Sequence, residues 1–205
     1  MRLVMVALSA GFLAQCASGA SESAPTGEAA TSTIVIGVAE TSRQRDPRYA
    51  LLWRRLGEDG RFLEYDDARS FEARTHAPDS IRIDGIPGEF EVFRVAPGVY
   101  ALDSVFATLR ERGVRYFAQG VVRGAQRPAF EVSAGETAYL GIWELDIDGA
   151  EAVARLWRLD EADAEAAWRA SRGAITSPPT IRAAPAREAP CAPQRMSNMS
   201  ERLIC

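Results

Sequence analysis

Residues 137–148 read TAYLGIWELDID, and their alternation decides the fold. Tyr139, Gly141, Trp143, Leu145 and Ile147 share one face of a period-2 strand. Leu140 and Ile142 begin the other face, which turns acidic at Glu144, Asp146 and Asp148. A slip of one residue would bury those carboxylates, so the pattern specifies its own register. The first half of this strand is expected to be covered on both sides and the second half on one.

The same kind of run recurs on either side. TIVIGVA (33–39), YALLWRRL (49–56) and RFLEY (61–65) open the series, the last two joined by GEDG. SIRID (80–84) and EFEVFRV (89–95) flank GIPG; VYALDSVFATL (99–109), VRYFAQGVV (114–122) and AFEV (129–132) follow. AVARLWRL (152–159) closes the series. Short apolar runs punctuated by Gly, Pro and Asp predict an all-β domain over 33–173, a sandwich or a barrel. LDEADAEAAWRASRG, ending at Gly173, reads as one helix at its C-terminal end. Asp160 is placed to cap it, Asp163 stands at the capping-box position, and Trp168 lies on the stripe with Ala164 and Ala167. Residues 174–205 are Pro-rich (SPPTIRAAPAREAPCAP) and read as an extended, disordered tail.

Two turns carry a resemblance. APGVYAL (96–102) places Pro97 and Gly98 at the centre of a type II turn, and FEVSAGETAYLG (130–141) does the same with Ala134-Gly135. A PGxY turn followed by AGExxYLG resembles uncharacterised bacterial lipoproteins with a transthyretin-like, carboxypeptidase-regulatory-type domain. The resemblance runs from about Ser80 to Ile147. It implies an antiparallel β-sandwich at the cell envelope and implies no activity, because a fold does not confer one.

The N-terminal end differs from everything after it. Met1 and Arg2 precede an uncharged apolar run, Leu3 to Ala14, too short to span a bilayer and of the size of an export signal. Leu13-Ala14-Gln15-Cys16 resembles the lipobox of bacterial lipoproteins, with Gln15 departing from the small residue usual there. That resemblance implies cleavage of residues 1–15 and acylation of Cys16 by membrane lipid. Ser18-Gly19-Ala20 offers a competing cut after Ala20, which would release a soluble periplasmic form. Ala17 stands where an Asp is the usual inner-membrane retention signal, so the resemblance favours the outer membrane, facing the periplasm. Residues 16–32 form a polar tether reaching on the order of 20–25 Å as a random coil.

With Cys16 acylated, Cys191 and Cys205 are left as a pair that an oxidising compartment allows to bond. The competing use of that tail is a soft Cu(I) site of Cys191, Met196, Met199 and Cys205. The disulfide-closed loop is the simpler reading, since the spacing matches no copper signature. His76, the only His, lies in THAPDS beside Asp79 and Ser80 and reads as a solvated loop residue rather than a catalytic base. Glu144, Asp146, Asp148 and Gly149 invite a calcium-loop alignment, but its closing Glu position falls on Arg155. Trp53, Trp143, Trp157 and Trp168 could form a sugar-stacking platform; core packing is the default for them.

A net charge of -4, with all 24 cations being Arg and scattered among acids, argues against nucleic acid as a partner. No nucleophile elbow, phosphate loop or zinc spacing stands in the chain. The expectation is an exported, lipid-anchored protein without enzymatic activity or cofactor, binding or scaffolding at the envelope, with an envelope protein as a candidate partner.

Overall fold

The computed structural model describes residues 31–41, 47–66, 69–76, 81–83, 85–111, 114–122, 124–171, 173–196 and 199–205. In chain order its strands are β1 (Ser32–Glu40), β2 (Arg48–Arg55), β3 (Ser70–Arg74), β4 (Ile81–Ile83), β5 (Ile86–Val95), β6 (Gly98–Glu111) and β7 (Val114–Val121). Then come β8 (Gln126–Val132), β9 (Thr137–Asp148) and β10 (Glu151–Arg158), the helix α1 (Glu161–Ala170), and β11 (Thr180–Ile181), β12 (Ala186–Glu188), β13 (Gln194–Met196) and β14 (Met199–Ile204).

Two six-stranded sheets face each other, as the alternating runs require. The first is ordered β10-β9-β1-β5-β4, with β11 following β10's place along β9. The second is ordered β12-β8-β6-β2-β3, with β7 also on β6. Pairing is mostly antiparallel, but β1 runs parallel to β9, as does β11, so the first sheet is mixed rather than purely antiparallel. Between the sheets lies an aromatic core. Trp53 meets Trp143 edge-on at 5.2 Å and Phe130 at 5.4 Å, and Tyr100 stacks on Phe130 at 5.7 Å. Trp53 and Trp143 are buried, and Trp157 and the α1 residue Trp168 are partly buried against the layer between α1 and the first sheet, which leaves no exposed platform of four indoles.

The strand that decides the fold changes phase part-way. Ala138 and Leu140 face the core, then Trp143, Leu145 and Ile147 do, while Tyr139 and Ile142 face the opposite layer under α1. The expectation that Tyr139 shares a face with Trp143 is therefore corrected. The cause is a bulge: β9 spends one more residue than β1 between Val35 and Gly37, and Gly141 sits there at φ 83°. Only Gly adopts that backbone without strain. The carboxylates of Glu144 and Asp146 still point away from the core, and coverage of the first half on both sides holds.

α1 begins where Asp160 accepts from the Asp163 amide at 2.8 Å, and it buries Ala164 and Ala167 against Val35, Tyr139 and Ile142. The PGxY turn also has a visible reason: the Tyr100 hydroxyl donates to the Ala96 carbonyl across it at 2.9 Å. Gly135, at φ 74°, serves the second turn, closed by the Glu136 amide on the Ser133 carbonyl.

Two further expectations fail. RFLEY forms no strand; it makes one isolated bridge, Phe62 to Leu56 just past the end of β2, and β2 pairs instead with β3. The segment is drawn off the ladder because the Leu63 carbonyl accepts from the buried Arg54 guanidinium. The tail is extended but not disordered. β11 adds to β9, β12 adds to β8, and the β13–β14 hairpin covers the outer face of the second sheet, burying Met196 and Ile204 on Ala50, Leu52 and Phe106. The sandwich is thus a four-layer body of helix, sheet, sheet and tail.

Candidate functional site

Beneath the tail lies a buried polar cluster. β6 bulges at Asp103, where β2 steps from Leu52 to Trp53 while β6 steps from Ser104 to Leu102. Asp103 is fully buried and accepts from Arg54 at 2.8 Å and from the Cys205 amide at 3.0 Å. Arg127, equally buried, donates to the carbonyls of Leu102, Val122 and Gly124 and to Cys205 Sγ. Burial pushes the Arg127 guanidinium below its ordinary pKa, and the Asp103 charge opposes this. Both guanidiniums lie over the Phe62 ring, Arg54 at 5.2 Å and Arg127 at 5.1 Å from its centroid. The cluster is a clamp on the tail, completed by the Cys191–Cys205 disulfide. Beside that bond is an open cavity of about 720 Å³, lined mainly by small and apolar residues such as Val122, Pro190, Pro193 and Leu203.

At the far edge of the sandwich, His76 is not solitary. Glu89 and Glu91 occupy alternate positions of β5 and share the parity of Phe93 and Val95, which face the core. Their carboxylates reach from the first sheet to the end of β3 in the second. Glu91 accepts the Arg74 amide at 3.0 Å and meets His76 Nδ1 at 2.9 Å, and Glu89 accepts the His76 amide. Ligand-type atoms of His76, Glu89 and Glu91 all lie within 4.8 Å of one another. Burial raises the Glu91 carboxyl above its ordinary value, and the like charge of Glu89 adds to this against the hydrogen bonds from Arg74 and His76. His76 also lines a cavity of about 430 Å³ together with Arg48, Arg74 and Arg202. Sequence reasoning missed this grouping. The usable signal was EFEVF, in which acids stand at strand positions of core parity.

The other expected residues are placed as follows. Leu13, Ala14, Gln15, Cys16 and the rival cut at Ala20 lie outside the described residues, as do Asp79 and Ser80. Cys191 and Cys205 are bonded to each other, so neither is a thiolate for copper; Met196 is buried in the hairpin, and the Met199 side chain lies outside the described residues. Glu144 and Asp146 are bridged by Arg155, the residue that breaks the calcium-loop alignment. No helix among the described residues is long and apolar enough to cross a membrane.

No protein-family model, no curated protein and no solved structure matches the chain.

Proposed function

We propose that this is an exported protein held to the cell envelope by lipid on Cys16, with a non-enzymatic binding or scaffolding role. The observation that carries the reading is the Cys191–Cys205 disulfide, whose Cys205 is built into the buried Asp103–Arg127 clamp. A disulfide integrated in this way suits an oxidising compartment, which is where residues 1–16 would deliver the chain. The first strand begins at Ser32, directly after the polar tether, so the anchor and the sandwich are separate in sequence. The PGxY and AGExxYLG turns support reading the sandwich as transthyretin-like.

Intact mass of the membrane-fraction protein, with and without reduction and thiol alkylation, tests the proposal. A chain beginning at Cys16 with added acyl groups, and two alkylatable thiols only after reduction, is the expected result. A chain beginning after Ala20 overturns the anchor in favour of a soluble exported protein. Alkylation of Cys191 and Cys205 without reduction overturns the assignment of compartment.

A further inference from the structure

The geometry points to a divalent metal site, of the zinc class, formed by His76 Nδ1 and the carboxylates of Glu89 and Glu91. The donor set is one imidazole nitrogen and two carboxylates, a combination that suits Zn²⁺ and not a soft Cu(I) or an all-oxygen Ca²⁺ centre. Three protein ligands leave a position open, the arrangement of zinc sites that bind a further molecule.

The distances agree with such an ion. Nδ1 of His76 and Oε1 of Glu91 are 2.9 Å apart. An ion about 2.1 Å from each would subtend an angle of about 90° there, and a small opening of the pair brings it toward tetrahedral. The three donor atoms all lie within 4.8 Å of one another. Tetrahedral zinc ligands ~2.1 Å from the ion stand ~3.4 Å apart, so side-chain torsions must draw the outermost donor in by up to ~1.4 Å on binding.

The surroundings hold the ligands together. Glu89 and Glu91 are i and i+2 on one strand, so both carboxylates leave the same face. Each is tied to a backbone amide at the end of β3, Glu91 to that of Arg74 and Glu89 to that of His76. The His76 main chain is held in turn, its carbonyl accepting from Arg48 at 2.8 Å. Glu89 is 8% exposed and the Glu91 side chain 14%, whereas the His76 side chain is 62% exposed. The carboxylates are therefore held in the sheet, while the exposed imidazole, which also lines the 430 Å³ cavity, leaves an ion a way in from solvent. The Arg74 and Arg202 guanidiniums on this side of the cavity both bond to Glu72.

A single His in the chain makes the test clean. Untagged full chain, labelled with ¹⁵N, is titrated with ZnCl₂ while the two imidazole nitrogens are observed by NMR, with calorimetry in parallel. The site predicts saturation at one equivalent and a large shift of Nδ1 rather than Nε2. It also predicts an affinity drop of at least tenfold in Glu91→Gln and in Glu89→Gln, and no competition from Ca²⁺ or Mg²⁺. Circular dichroism of both variants separates ligand loss from unfolding, and His76→Ala, at an exposed position, provides a folded control that must also lose binding. An unmoved imidazole on zinc addition, or a shift that survives in a folded Glu89→Gln/Glu91→Gln double variant, overturns the site.

Discussion

The main-chain amide of Cys205 donates to the Asp103 carboxylate at 3.0 Å, across 102 residues of chain. Asp103 stands at the bulge where β6 passes from pairing with β7 to pairing with β8. The end of the tail is thus fastened at the middle of the second sheet, and Arg127 holds the same residue through its sulfur at 3.3 Å.

Removing the disulfide should loosen this layer before it unfolds the sandwich. The bond closes a loop of sequence separation 14. A loop of that size contributes about 3 kcal/mol in the chain-entropy account. Cys191→Ser, or reduction of the wild type, should lower stability by roughly that amount and expose the Met196–Ile204 hairpin to protease. Equilibrium denaturation and limited proteolysis with and without reductant measure both effects. Unchanged cleavage in the tail would mean that β13 and β14 hold without the bond.

Asp103→Asn keeps the shape of the side chain and deletes its charge. Arg54 and Arg127 then remain as cations beneath the tail, one 2% and the other 1% exposed. Removing one partner of a buried pair costs about 3–5 kcal/mol, because the remaining charge is desolvated without compensation. Urea unfolding of the variant should show that loss, and Asp103→Asn/Arg54→Met should recover part of it. A double variant no more stable than the single one would show that the Arg54 charge is not what makes the substitution costly.

Gly141→Ala addresses the bulge. A Cβ there would stand 2.5 Å from the Arg158 carbonyl and 2.7 Å from a Leu156 methyl, on a backbone at φ 83°. The left-handed conformation costs an Ala ~1–2 kcal/mol and overpacking typically adds ~1–3 kcal/mol. A loss of roughly 2–5 kcal/mol in a denaturant titration is expected, and the α1 side of the sheet should exchange amide protons faster. An Ala tolerated at full stability would show that β9 can shed the bulge.

How much of this was legible follows from what each element depends on. β1, β2 and β5 to β10 each carry a run of alternating or continuous apolar residues, and each stands within a few residues of its expected place. β3 was not legible because SFEAR offers only Phe71 and Ala73 to the core. The phase change of β9 was invisible because a glycine in an alternating strand marks either a bulge or nothing, and its partner strands decide which. The tail was misread because its order comes from main-chain bonds, such as Arg182 to Tyr139 and Ala189 to Ala125, and from the disulfide. None of these leaves a periodic apolar trace. His76 read as solvated since its partners lie on β5, 13 and 15 residues away.

The third fastening of the tail is electrostatic and gives a pH dependence. Glu72 on β3 accepts from Arg74 at 2.7 Å and from Arg202 of β14 at 2.7 Å, and Arg202 lies 4.5 Å over the Phe106 ring. Burial alone would raise the Glu72 carboxyl; the hydrogen bonds and charges of Arg74 and Arg202 outweigh it, so its pKa falls below the ordinary 4.5. A carboxyl depressed in the folded state contributes stability that is complete above 4.5 and is lost as pH falls through its folded value. Glu72→Gln should therefore cost about 1.5–3 kcal/mol at neutral pH, the range for charged hydrogen bonds. That difference from wild type should shrink below pH 4.5 and disappear once Glu72 is protonated in both states. Paired denaturation curves from pH 7 down to pH 3 test this. A gap that stays constant down to the lowest pH would show that the variant loses packing rather than charge.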